Sequence, residues 1–106
     1  MSKELMETTM TLITYGGNAK SSAMEAIYAA KESDFELAEK KLEEASESLK
    51  KAHNSQTALL TQEASGDSVE LNLLMVHAQD HLMNAITFKD LATELIDVYK
   101  QLKLFS

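Results

Sequence analysis

From Leu71 to Leu102 the chain sets Leu71, Leu74, Ala78, His81, Ala85, Phe88, Ala92, Leu95, Tyr99 and Leu102 at alternating steps of three and four. That spacing is a heptad seam, and it restricts the segment to a long helix packed against partner helices. A second line, Leu73, Val76, Met83 and Leu91, runs roughly opposite the first on a helical wheel. Asp80 falls in the middle of that second line. One seam can be covered by the chain's own helices, but a second on the same helix needs another surface to cover it.

The rest of the composition agrees with helix. In 106 residues there is no proline, no cysteine and only three glycines, so little in the chain interrupts helix. The length suits one domain, residues 1–106, with a modest core. Without cysteine there are no disulfides and no thiolate chemistry, which fits a cytoplasmic location. No apolar run approaches the roughly 18 residues of a membrane span, and no signal-peptide pattern opens the chain, so membrane insertion is not expected. Seventeen acids against ten bases give a net charge of −7. That sign argues against nucleic acid and against an anionic lipid surface.

Three helices are expected. The first runs from about Lys3 to Lys31, with one line through Met6, Met10, Ile13, Met24 and Ile27. A second line runs through Leu5, Leu12, Ala19, Ala23, Ala26 and Ala30. Gly16–Gly17 interrupts it, and each glycine costs a helix interior about 1 kcal/mol relative to alanine. The pair marks either a kink or a close backbone approach to a neighbouring helix. Ser33 with Glu36 fits a capping box that opens the second helix. Its seam is Phe35, Ala38, Leu42, Ala45, Leu49, Ala52, Gln56 and Leu59, and Gln56 breaks it where an apolar residue belongs. The charges on its other faces, with pairs such as Glu36–Lys40 and Glu47–Lys51, are a solvated surface. Gly66 suits a left-handed helix terminus, and Asp67 with Glu70 fits a cap that would start the third helix. Short connections between three long helices predict an all-α, antiparallel, up-down-up bundle.

Antiparallel pairing about a turn at Gly66 and Asp67 sets Gln56 level with His77 and His53 level with Asp80. The polar break in the second helix thus coincides with the histidine-bearing stretch of the third. His81, on the seam, should point inward, whereas His77 lies one turn before it and nearer the edge. The same arithmetic puts the glycine pair roughly 10 Å along the axis from His77, which makes it packing and not part of a reacting centre.

Several chemistries were weighed for this stretch. His77 and His81 have the spacing of a two-histidine zinc site, but Ala78 stands where the metalloprotease pattern needs Glu and no third ligand is evident. Nucleophilic serine or cysteine chemistry has no support, since cysteine is absent and the serines are expected at caps and exposed faces. A structural role for the histidines is the plain alternative. Imidazole can also act as the nucleophile itself and hold a phosphoryl group on nitrogen. That needs one exposed ring nitrogen, a second fixed by a hydrogen bond, and donors for the phosphoryl oxygens. His77 at the seam edge meets the first need, and a buried His81 does not.

Val76-His77-Ala78-Gln79-Asp80-His81-Leu82-Met83, with Leu73-Leu74 before it and Lys89-Asp90-Leu91 after it, resembles the signature of a bacterial family. That family is the IIA component of the lactose/cellobiose-type sugar phosphotransferase system. Gly16-Gly17-Asn18-Ala19-Lys20, Ser33-Asp34-Phe35, Lys51-Ala52-His53 with Gln56-Thr57, and Glu63-Ala64-Ser65-Gly66 are similar to it as well. The resemblance covers nearly the whole chain. It implies a phosphotransferase component with a phosphohistidine intermediate. His77 would accept the phosphoryl group through Nε2 from the histidine phosphocarrier HPr and pass it to a cysteine of the IIB component. On the helix-register arithmetic, not the resemblance, His81 and Gln56 would form a polar layer that orients His77 or receives the phosphoryl oxygens. The resemblance further implies a parallel homotrimer in which three copies of Asp80 meet a structural metal ion, Mg²⁺, on the threefold axis. The glycine segment looks more like the cellobiose, lichenan and chitobiose branch than the lactose branch, and a IIA component binds no sugar itself. The rival class is a non-catalytic acidic helical-bundle interaction module, which explains the heptads and the charge but not Gln56, His77, Asp80 and His81 at one level.

Overall fold

The computed structural model describes residues 1–106 as three helices and no strand: α1 Lys3–Lys31, α2 Phe35–Ala64 and α3 Leu73–Leu104. They form a rod 56 Å long and about 20 Å across. α1 packs closely on both other helices, while α2 and α3 touch each other far less. Cross-helix neighbours run in opposite order along α1 and α2, where Glu25 pairs with Lys41 at 2.9 Å while Leu5 and Thr8 share a recess with Leu59 and Gln62. They do so again along α2 and α3, where Glu39 meets Lys100 and Gln56 meets Gln79.

α1 is unbroken through Gly16–Gly17, so the pair does not divide it into two helices. Its end differs from the expected capping box. Ser33 adopts the left-handed conformation (φ 61°) that closes α1, with its amide bonded to the Ala30 carbonyl. Asp34, not Ser33, caps α2 and accepts the Leu37 amide at 3.1 Å. The end of α2 repeats the device with a better residue: Gly66 sits at φ 95°, where a Cβ would be strained. Asp67 does not begin α3. The segment 67–72 carries no helix, Val69 packs over the core, and Asn72 caps α3 by accepting the Met75 amide at 2.9 Å. An asparagine immediately before the apolar run, three residues ahead of the amide it caps, supplies the acceptor that Asp67 was expected to give.

The core has two parts. One is built almost wholly of alanine: Ala19, Ala23, Ala26, Ala38, Ala45, Ala85 and Ala92, closed by Ile27, Leu42 and Ile96. Small side chains there let the helices approach closely. The other, toward the 67–72 connection, holds Leu12, Ala52, Leu59, Met75, Ala78 and Leu82. Gly16 lies on α1 between Leu12 and Ala19, where the two parts meet. No helix is long and apolar enough to cross a membrane.

Candidate functional site

On α2 the expected seam is the buried one, Gln56 included. On α3 the seam is turned by one position. Met75, Ala78, Leu82, Ala85, Ala92 and Ile96 are buried, whereas Leu71, Leu95 and Leu102 are exposed. Ala78, Ala85 and Ala92 fit both heptad frames, and the larger neighbours decide between them. The turn moves His81 off the seam to its flank, where it is half-buried and not enclosed. His77, one turn earlier, is exposed.

The two imidazoles stack on each other, with ring centroids 5.9 Å apart and planes 17° from parallel. Behind His81 stands the glycine pair. A Cβ on Gly16 would lie 3.1 Å from His81 Cδ2, and one on Gly17 would lie 3.3 Å from His81 Nε2. The glycines therefore are packing, as expected, but they pack on the histidine stretch itself and not well away from it. The difference arises because α1 lies directly alongside α3 at this level and the glycines let it approach the ring. Beside them a shallow recess is lined by Gly17, Lys20, Ser21, Met24, His81 and Phe88. The Lys20 ammonium lies over the Phe88 ring at 5.8 Å.

Gln56 does not join the histidines. Its Nε2 donates to Gln79 Oε1 at 2.7 Å and approaches Met83 Sδ at 3.5 Å. The expected Gln56–His81 layer is absent because the His81 ring faces the glycine pair of α1, whereas Gln56, at about the same height, meets the other flank of α3 at Gln79 and Met83. Gln56 belongs to the α2–α3 contact instead, and His53 is exposed. No protein side chain hydrogen-bonds a ring nitrogen of His77, and the neighbouring group is the stacked ring of His81.

The second apolar line of α3 is open. Leu73 is 85%, Val76 49%, Met83 50% and Leu91 63% exposed, with Asp80 exposed among them. Within one chain no three His, Asp or Glu side chains converge as metal ligands. Asp80 forms no ion pair, so its carboxylate is a free oxygen donor on that face. Sequence reasoning located the histidines, Asp80 and this line. It missed that Gly17 touches His81, a link that only the packing of α1 on α3 creates.

Residues 7–100 match the family described as PTS system, Lactose/Cellobiose specific IIA subunit. The chain is 54% identical over 102 residues to the lichenan-specific phosphotransferase enzyme IIA component of Bacillus subtilis, covering 96% of this chain and 93% of that protein. Its fold is similar to the crystal structure of the PTS cellobiose-specific enzyme IIA from Bacillus anthracis, with a TM-score of 0.95 and 43% identity. That match covers 100% of this chain and 97% of the other. It is also similar to the Escherichia coli IIA(Chitobiose) solved in solution as a complex with HPr, with a TM-score of 0.82 and 37% identity over 96% of this chain and 99% of that one. With nearly its whole length matched, the chain belongs to the lactose/cellobiose-specific IIA subunit family of the sugar phosphotransferase system.

Proposed function

We propose that the protein is a cytoplasmic phosphocarrier that takes a phosphoryl group from phospho-HPr onto Nε2 of His77. It then passes the group to a cysteine of the IIB component. The system it serves imports a β-glucoside disaccharide of the cellobiose, lichenan or chitobiose type. The observation that carries this reading is an exposed imidazole, His77, held by stacking on half-buried His81 in a chain of this family. An imidazole so placed is reachable by a partner yet ordered, which in-line phosphoryl transfer requires. The nitrogen–phosphorus bond on HPr breaks as one forms at His77, and that bond breaks in turn as a sulfur–phosphorus bond forms on IIB. The likeness to a IIA protein solved with HPr supports HPr as the donor.

The opposite order of cross-helix partners supports an up-down-up course, and the open line of α3 supports assembly as a parallel homotrimer. Copies of Asp80 would then share one interface, where like charges at close range need protons or a cation. Their oxygen-only donor set fits a hard ion such as Mg²⁺, which would neutralise the interface and leave the transfer to His77.

Incubation with HPr, the first enzyme of the system and phosphoenolpyruvate tests the assignment. Wild type should gain one acid-labile, base-stable phosphoryl group per chain. His77→Ala should gain none, while His53→Ala and His81→Ala keep the acceptor nitrogen. Full labelling of His77→Ala would sink the assignment. An acid-stable, base-labile group would favour the acidic interaction module, phosphorylated on serine.

A further inference from the structure

We propose that Gly17 is a positioning residue for this transfer: lacking a Cβ, it leaves the space in which the His81 imidazole sits, and His81 fixes the ring of His77. The inference rests on the phosphocarrier reading for its kinetics, but not for its geometry. Two glycines in the middle of a long helix both disfavour that helix, so each needs a reason. Gly16 has an ordinary one in part, since it is buried between the helices, where its Cβ would lie 3.1 Å from His81 Cδ2 and in van der Waals contact with the Leu82 backbone at 3.5 Å. Gly17 does not. A Cβ there would have one neighbour within 4 Å, His81 Nε2 at 3.3 Å, and no backbone atom of α3. Close approach of the helices leaves Gly17 unexplained, and the imidazole explains it.

His81 has no side-chain hydrogen bond to fix its rotamer. It is confined between the glycine pair on one side and the His77 ring, stacked at 5.9 Å, on the other. A Cβ at position 17 is tighter than an ordinary contact, so the ring must shift by a few tenths of an ångström, and a shift away from α1 carries to the stacked His77 ring. Displacement of a reacting group by about 1 Å can cost on the order of 100-fold in rate. A shift of tenths should cost less.

Gly17→Ala is the variant, since alanine favours the helix and the fold should hold; Gly17→Ser brings the same Cβ and is the second variant. Imidazole carbon-bound proton resonances of His77 are recorded on the unphosphorylated protein. Gly17→Ala should shift them, and should leave them unmoved when placed in a His81→Ala background. Transfer from phospho-HPr should slow about tenfold in kcat with KM within about twofold. The effect should vanish in the His81→Ala background, as a double-mutant cycle demands of a residue acting through another. Unmoved His77 resonances, or an equal rate loss with and without His81, would overturn the proposal. Unlabelled wild type would defeat the phosphocarrier reading while the resonance coupling still stands or falls on its own.

Discussion

The two apolar faces of α3 meet opposite fates. On the inner face Met75, Leu82 and Ile96 are at most 2% exposed and interleave with alanines. On the outer face Leu73, Val76, Met83 and Leu91 are each about half exposed or more and surround the exposed carboxylate of Asp80. The inner face uses small residues to draw α1 in, so one chain completes it. The outer face uses large residues and nothing in the chain covers them. Burial of a Leu or Met side chain is worth about 1.5–3 kcal/mol, so the outer line is stabilisation that only another surface can realise. The histidine pair lies between the two faces.

The sharpest way to break this comparison is to truncate one residue on each face. Leu82→Ala should destabilise the chain by about 2–5 kcal/mol at any protein concentration, because it opens a cavity in the core. Leu91→Ala should leave the isolated chain within about 0.5 kcal/mol and weaken only the assembled form. Denaturation measured at low and high protein concentration separates the two. Equal losses at every concentration would make the outer line part of a single-chain core.

A change at Asp80 sharpens the comparison with a smaller effect. Asp80→Leu removes the like charges and extends the outer apolar line. The variant should sediment as a trimer with or without EDTA, whereas wild type should be weakened by the chelator. A monomeric Asp80→Leu, or a wild type with no trimer in either condition, would show that the outer line does not join copies of the chain.

The smallest effect concerns the α1–α2 contact, on neither face of α3. Hydrogen bonds to Glu25 and then Glu44 hold the Lys41 ammonium above its ordinary value of 10.5. A cationic group whose value is raised by folding stabilises the fold below its unfolded value, and that contribution fades as pH climbs through the folded one. Lys41→Met should therefore lose a small increment of stability at neutral pH and show a flatter alkaline limb above about 10.5. Because the site is exposed, the increment is small, and identical unfolding curves above and below that pH would dismiss the contact.

The sequence carried the helices well where one face alone was apolar. Phe35 to Leu59 on α2 has a single seam against a charged background, and that seam is the buried one. α3 was harder because two apolar faces leave its frame ambiguous: Ala78, Ala85 and Ala92 fit two heptads, and His81 was placed in the wrong one. The start of α3 depended on a contest between Asp67 and Asn72 that packing of Val69 decides. His77 was legible at the edge of either frame. The contact of Gly17 with His81 was not, since it depends on the relative height of α1 and α3, which no short-range pattern records.

On the proposed function, the stacked, exposed His77 carries the phosphoryl group on Nε2. Long-range proton–nitrogen correlation spectra of the phosphorylated, nitrogen-15-labelled protein report which ring and which nitrogen is substituted. The prediction is one phosphorylated imidazole, His77, with the substituted-nitrogen pattern at Nε2, and with His53 and His81 unmodified. A phosphoryl group on His81 or His53, or on Nδ1 of His77, would contradict it.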